Sequence, residues 1–481
     1  MLNHDKKMSN NNTEKNYSFG MIGLGTMGRN LLLNMADHGF SVTGHDKSEK
    51  MLALLEEEGK AHNLKGFAKV EDFINSLTSP KTIILLVPAG KIVDDVIAEI
   101  TPLLSEGDII IDSGNSYYTD TTRRSQELKE KGFHFFGMGI SGGEEGARFG
   151  PSLMPGGEKA AYAVVKDLLE AVSAKVNGEP CVAYIGPGAA GHFVKMTHNG
   201  IEYAIMQLLA ETYDILKNGL GYDNTQIQQV FEKWNNGRLK SFLMEITKDV
   251  FLFKDEKTGN LLVDEIKDQA KSKGTGKWTS QIAMDVEVPL NTIDASVAGR
   301  NLSKLKDLRV ELEGSFGKAA QIENTAGFED QLEEAFYFAM VSAYAQGMHL
   351  LWKASEEYGY ELNMAEIAKI WRGGCIIRAE FLQDIYEAYQ KNADLQHLYQ
   401  DAAIQEKLQA GLKDTRKVIA SAISAGIAIP CYAAAITYFD TLKTGRMPSN
   451  LIQAQRDYFG AHTFERIDSE GVFHAEWNKL S

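Results

Sequence analysis

Six residues near the start of this chain restrict its fold more than any others: Gly23, Leu24, Gly25, Thr26, Met27 and Gly28. They follow a short apolar run over residues 19–23 and open a helical stretch that starts near Met27. Glycines at that spacing suit a strand that hands over directly to a helix. Gly23 permits the tight turn, Gly25 lets backbone approach a phosphate, and Gly28 lets helix and strand pack in contact. The helix N-terminus then offers free N–H groups and a positive dipole end to an anion. Asp46 ends the next apolar run, eighteen residues after Gly28, where an acid can accept from a ribose hydroxyl. A bare glycine turn would need neither the strand before it nor the acid after it, so the block reads as a dinucleotide site.

Further short apolar runs, at 41–45, 82–87, 109–113 and 133–139, alternate with helical stretches starting near Ser48, Ile92 and Thr121. That alternation indicates βαβ units and a parallel sheet covered on both faces. Residues 17–190 are therefore expected to form an α/β, Rossmann-like domain. Beyond the glycine-rich joint at 186–191, helical periodicity dominates, and residues 191–447 are expected as a large all-α domain. Residues 448–481 read as an irregular tail whose Arg, His and aromatic residues argue against its hanging free. Residues 1–16 are polar and Asn/Lys-rich, without the apolar core of a signal peptide, and are expected to be a disordered extension.

At 481 residues the chain exceeds one typical core. A formal charge of −15 argues against nucleic acid and anionic membranes as partners, though a cleft can still gather its own cations. No apolar run is long enough to span a bilayer. Cys181, Cys375 and Cys431 are scattered, with neither a disulfide framework nor metal-ligand spacing. A reducing, cytoplasmic setting and no metal are expected.

Residues 192–203 carry the sharpest chemical signal. Wound as a helix at about 100° per residue, they place Lys195, His198, Asn199 and Glu202 on one face, with Phe193, Val194 and Ile201 mostly opposite. Such a face is either a solvated Lys–Glu stripe or the wall of a polar cleft. Asp112 to Ser116 and Ser141 to Gly146 follow expected strands, at the carboxyl edge where ligands bind in such sheets. Residues 273–278, Lys-Gly-Thr-Gly-Lys-Trp, form a basic glycine-spaced loop. Singly each of these is an ordinary turn; together they suit one anion pocket.

Seven long motifs settle the resemblance. They are Ile-Gly-Leu-Gly-Thr-Met-Gly (22–28), Ser-Gly-Gly-Glu-Glu-Gly-Ala-Arg (141–148), Gly-Pro-Ser-Leu-Met-Pro-Gly-Gly (150–157), Gly-His-Phe-Val-Lys-Met (191–196), Lys-Gly-Thr-Gly-Lys-Trp-Thr (273–279), Trp-Arg-Gly-Gly-Cys-Ile-Ile-Arg (371–378) and the stretch 450–462. From about Phe19 to the tail the chain resembles the 6-phosphogluconate dehydrogenases, the decarboxylating enzymes of the pentose phosphate pathway. The resemblance implies oxidative decarboxylation of 6-phosphogluconate to ribulose 5-phosphate, with Lys195 as general base and Glu202 as general acid. It implies substrate contacts from Asn115, Ser141, Gly142, Gly143, His198, Asn199 and Tyr203, and phosphate contacts from Lys273 and Arg300. Arg456 and His462 match tail residues that reach the partner subunit's site, so a homodimer with shared active sites is implied. Val87, Pro88, Ala89 and Asn115 match the nicotinamide side of the pocket.

The chain departs from the family where Asp46, Lys47 and Ser48 replace the usual Asn-Arg-Thr. Lys47 and Ser48 suit the 2′-phosphate of NADP, whereas Asp46 suits the free ribose of NAD, so both cofactors stay open. Lysine keeps arginine's charge without its planar fork. Pro88 stands where many members carry lysine. The alternative activity is that of a related β-hydroxyacid dehydrogenase acting on another small acid. Those relatives are shorter and would not need Lys273, Arg300, Arg456 and His462.

Overall fold

The computed structural model describes residues 17–477; the extension expected at 1–16 lies outside them. Seven strands form one sheet: β1 (Phe19–Ile22), β2 (Val42–His45), β3 (Leu64–Phe67), β4 (Thr82–Leu85), β5 (Ile109–Asp112), β6 (His134–Ser141) and β7 (Ser152–Gly157). Their order is β3-β2-β1-β4-β5-β6-β7, parallel except for the last pair. Helices α1 (Thr26–Asp37), α2 (Glu49–Glu58), α3 (Val70–Asn75), α4 (Lys91–Ile100), α5 (Tyr118–Lys129), α6 (Gly143–Phe149) and α7 (Lys159–Val172) join them. β1 lies between β2 and β4, so the winding reverses there and opens a crevice at the strands' carboxyl ends. β4 and β5 are buried along their whole length, as their unbroken apolar runs require.

Two strands of this sheet were not anticipated. β3 is an edge strand of Leu-Lys-Gly-Phe with little apolar signal. β7, Ser-Leu-Met-Pro-Gly-Gly, is fully buried yet lacks β-branched residues. Its glycines serve close approach. The long helix α8 (Ala190–Asp214) begins directly on this part of the sheet, and a Cβ on Gly156 would stand 2.2 Å from the Gly191 nitrogen. β6 runs on to Ser141, past the expected end at 139, because β7 pairs with it through Ser141↔Ser152.

After a short ladder of β8 (Lys175–Val176) and β9 (Glu179–Pro180), α8 leads into a helical layer. It comprises α9 (Asn224–Asn235), α10 (Phe242–Val250), α11 (Leu262–Glu265), α12 (Thr275–Asp285), α13 (Asn291–Ser303), α14 (Lys306–Phe316), α15 (Phe328–Tyr358), α16 (Met364–Trp371), α17 (Phe381–Lys391), α18 (Ala402–Ser424) and α19 (Pro430–Leu442). α8 packs on β6 and β7 on one side and on α12, α13 and α15 on the other. Phe193, Ile201 and Leu208 on α8 belong to one apolar core with Trp234, Phe336 and Trp371. The helix carrying the polar face is thus clamped between both layers.

The tail is not irregular throughout. It opens with α20 (Ser449–Gly460) and closes with the small hairpin β10 (Phe464–Glu465) and β11 (Val472–Phe473). The apolar residues of α20, including Leu451, Ile452 and Phe459, face solvent rather than this chain's core, so no inward stripe marked it as a helix. Local hydrogen bonds hold it instead. The Asp457 carboxylate, fully buried, accepts from the Thr463 N–H (2.9 Å), the Ala475 N–H (3.0 Å), His474 Nδ1 (2.8 Å) and Trp477 Nε1 (2.8 Å).

Candidate active site

The glycine turn between β1 and α1 makes an anion cradle. Gly23 has φ +97°, and a Cβ there would stand 2.5 Å from the Leu86 carbonyl oxygen. A Cβ on Gly25 would meet nothing within 4 Å, so the space before that backbone is open. No side chain caps α1, which leaves the first N–H groups around Thr26 and Met27 for an incoming phosphate. The residues fit a dinucleotide pyrophosphate.

Asp46 ties this turn to the next. Its carboxylate accepts from the Leu24 N–H and from the Ser48 N–H, both at 2.8 Å. Beside it lies a cavity of about 310 Å³, whose walls include Gly23, Asp46, Lys47, Val87 and Glu99. Lys47 Nζ sits 3.2 Å from the Glu99 carboxylate, across a solvent-exposed contact. Pro88 and Ala89, after β4, and Asn115, after β5, are exposed at the same edge of the sheet.

On α8 the face expected from the sequence is formed and largely sealed. Lys195, His198, Asn199 and Tyr203 are all buried. Lys195 packs onto β6, where a Cβ on Gly139 would stand 2.4 Å from the Lys195 Cβ. Burial lowers the Lys195 pKa from the usual lysine range, against the opposing pull of Glu202 and Cys375. Burial raises the Glu202 pKa, against Lys195 and Arg300. His198 falls well below the usual imidazole value, through burial and then Lys195, with the Asn199 hydrogen bond opposing. The imidazole is therefore neutral. Its Nε2 lies 3.0 Å from Ser141 Oγ and its Nδ1 lies 3.1 Å from Asn199 Oδ1. Nδ1–H therefore donates to Asn199, which leaves Nε2 to accept from the Ser141 hydroxyl.

The helical layer adds further groups beside this face. The Arg300 guanidinium lies 3.4 Å from the centre of the Tyr203 ring. α12 starts at Thr275, within the glycine-spaced loop, and Thr279 Oγ1 donates to the Met196 carbonyl at 2.9 Å. That bond moors α12 to α8 beside Lys195. Lys273 precedes it, exposed. Gly142 and Gly143 form the turn from β6 into α6. Arg456 and His462 do not join this cluster. Arg456 Nη1 donates to Gln453 (3.3 Å), and the His462 ring lies against Phe459 (5.8 Å between centroids), both within the tail.

Residues 18–186 match the NAD binding domain of 6-phosphogluconate dehydrogenase, and residues 191–477 match the 6-phosphogluconate dehydrogenase C-terminal domain. The chain is 49% identical over 463 residues to the NADP(+)-dependent, decarboxylating 6-phosphogluconate dehydrogenase of Bacillus subtilis (strain 168), covering 96% of this chain and 99% of that one. It belongs to the 6-phosphogluconate dehydrogenase family. The decarboxylating 6-phosphogluconate dehydrogenase of Escherichia coli (strain K12) is 48% identical over 461 residues, covering 95% of this chain and 98% of that one. A solved structure of Plasmodium falciparum 6-phosphogluconate dehydrogenase, studied in its apo form, with its cofactor NADP+ and with its substrate 6-phosphogluconate, superposes with a TM-score of 0.92. It shares 44% identity, covering 96% of this chain and 100% of that one.

Three further neighbours of these candidate residues were not singled out from the sequence. The Ile376 N–H donates to Ser141 Oγ at 3.2 Å, and the Trp371 ring meets His198 edge-on at 5.6 Å. Glu99, which faces Lys47, is the third. The first two lie in the 371–378 motif, whose paired glycines signal a tight turn but not its destination. Glu99 had no signal, since it is one acid among several on α4.

Proposed function

We propose that α8 supplies the acid–base pair of a decarboxylating 6-phosphogluconate dehydrogenase, with Lys195 as base and Glu202 as acid. The reaction is the oxidative decarboxylation of 6-phospho-D-gluconate to D-ribulose 5-phosphate and CO2 with reduction of NADP, a step of the pentose phosphate pathway. The observation that carries this assignment is geometric: one face of α8 holds Lys195, buried against β6, and Glu202, whose nearest His198 nitrogen is 3.9 Å away. Burial favours a neutral amine at Lys195 and a protonated carboxyl at Glu202, the two states that a base and an acid need at the start of a turnover.

Bound NADP supplies a hydride acceptor for C3. Lys195, neutral, takes the C3 hydroxyl proton as the hydride departs. As an ammonium it then donates to the new C3 carbonyl oxygen and stabilises the enolate formed when the C1–C2 bond breaks and CO2 leaves. Glu202, about two helical turns along, delivers a proton to the carbon that lost CO2. His198 keeps the tautomer that Asn199 and Ser141 impose, and with Gly142, Gly143 and Tyr203 it orients the substrate's carboxylate and hydroxyls. Lys273 and Arg300 hold the substrate phosphate, and the Arg300 plane is pre-set by Tyr203.

Residues 23–28 would hold the pyrophosphate of bound NADP, Asp46, Lys47 and Ser48 its adenosine ribose, and Val87, Pro88, Ala89 and Asn115 its nicotinamide. The cofactor domain spans 17–190, the substrate and dimerisation domain 191–447, and the tail 448–481. The working form is a cytoplasmic homodimer in which Arg456 and His462 of the partner subunit complete each site. Two features support the dimer. α14 buries none of its residues and exposes Leu308, Val310, Leu312 and Phe316. The tail presents Arg456 and His462 on an arm folded on itself. Use of NAD as a second cofactor is favoured by Asp46 and by the pairing of Lys47 with Glu99.

The test is the initial rate of nicotinamide reduction with 6-phosphogluconate, with NADP and NAD offered in parallel and CO2 trapped. One CO2 per reduced nicotinamide and a faster rate with NADP are expected. Reduction without CO2 would point to the β-hydroxyacid reaction, and no reduction with either cofactor would end the reading.

A further inference from the structure

Arg124 lies on α5 beneath the two loops that follow β4 and β5, and its side chain is 1% exposed. The guanidinium uses its whole fork. Nε donates to Asp94 Oδ1 at 2.8 Å and Nη2 to the Gly90 carbonyl at 2.9 Å. Nη1 donates to Asp112 Oδ2 at 3.3 Å and to Ser116 Oγ at 3.4 Å. Gly90 ends the loop that carries Val87, Pro88 and Ala89, and Asp94 lies in the helix just after it. Asp112 and Ser116 bracket the loop that carries Asn115. Asp112 in turn accepts from the Gly114 N–H at 3.0 Å and from the Ser116 hydroxyl at 2.6 Å. The two loops touch, since a Cβ on Gly114 would stand 3.1 Å from the Val87 carbonyl oxygen. A hydrogen bond from Arg124, joined by one from Arg123 against the opposing effect of burial, holds the Asp94 carboxyl at about 2, so that anchor stays ionised.

A buried ion pair is weak support for stability in itself, because desolvation offsets the attraction. What Arg adds here is direction: a rigid planar fork fixes several acceptors at once, which a lysine point charge cannot do. Both clamped loops stand at the edge where the nicotinamide half of the cofactor is placed. We propose that Arg124 is a positioning residue that sets the spacing between Val87–Ala89 and Asn115, and so shapes the nicotinamide half of the site. It rests on the reading of those residues as the nicotinamide border, and Arg124 acts only through them.

The experiment compares wild type with Arg124→Lys by titration calorimetry, using two probes. NADP reports on the whole site. Adenosine 2′,5′-bisphosphate carries the adenosine and its 2′-phosphate but no nicotinamide. In the variant, the Kd for NADP is expected to rise about tenfold, while that for the bisphosphate stays within about twofold. The KM for NADP should rise with it, and by more than the KM for 6-phosphogluconate, which only the shift of Asn115 would move. Equal weakening of both probes, or no change in either, would overturn the proposal. Should Arg124→Lys fail to fold, Ser116→Ala removes one acceptor at the edge of the network and must shift NADP alone in the same direction. Wild-type protein that binds the bisphosphate as tightly as NADP would overturn the nicotinamide reading itself, and the proposal with it.

Discussion

Glu202 on α8 and Asp457 in the tail are both carboxylates withdrawn from water, and their surroundings treat them in opposite ways. Burial alone would raise Asp457, but His474, the Ala475 N–H, Trp477 and the Thr463 N–H outweigh it and hold it below the usual carboxylate range. Glu202 has no such set. Among the described residues, no hydrogen bond reaches its oxygens, and the nearest His198 nitrogen is 3.9 Å away. Burial therefore prevails and its pKa rises. A carboxylate with its acceptors filled is a clasp that closes the tail on itself. One left short of partners beside a buried lysine has the raised pKa that the proposed acid needs.

The largest expected effect falls on the unsatisfied member. Glu202→Gln keeps the shape but has no proton to give, so kcat should fall by about 10²- to 10⁴-fold with NADP affinity unchanged. Near-normal turnover would break the contrast.

A buried base extends it. His397 is lowered from 6.5 to about 3, by burial and then by His349. Between those values the unfolded chain binds a proton that the native one does not. The stability contributed by keeping His397 neutral is therefore complete above about pH 6.5 and is lost as pH falls toward about 3, at about 1.4 kcal/mol per unit. Denaturant melts of wild type and His397→Gln between pH 7 and pH 4 should show a shallower acid limb in the variant. Equal slopes would mean that other groups set acid stability.

Asp457→Asn should act on the tail and spare the chemistry. Protease sensitivity after residue 448 should rise, and the KM for 6-phosphogluconate should rise several-fold while kcat changes less. Loss of kcat alone would place Asp457 among the reacting groups. The smallest effect is expected at the exposed Lys47–Glu99 pair. Glu99→Gln should tighten NADP by roughly two- to threefold and leave NAD unchanged, because surface ion pairs compete only weakly. Equal tightening of both cofactors would sever Lys47 from the 2′-phosphate.

What could be read from the chain follows from what each signal depends on. The glycine turn and the Ile-rich β4 and β5 are local patterns with one structural solution, so the α/β sheet was visible. The Lys195–Glu202 face was visible because helical periodicity fixes which residues share a side. β7 was hidden because its Pro155 and glycines answer to a helix packed on it from later in the chain. α20 was hidden because its apolar side turns away from this chain's core. Neither the Ile376 N–H on Ser141 nor the Glu99 carboxylate near Lys47 has a local pattern, since both are meetings of distant segments. The burial that shifts Lys195 and Glu202 is likewise a property of the packed layers and not of the 192–203 stretch.

The measurement closest to the central claim is made on Lys195→Met, which keeps the length of the side chain and removes the amine. NADP affinity is measured by calorimetry, and NADPH and CO2 are followed with saturating 6-phosphogluconate. A variant that binds NADP like wild type and yields neither product above background is the expected result. Turnover within tenfold of wild type would contradict the assignment of Lys195 as the base, and with it the reading of α8 as the catalytic face.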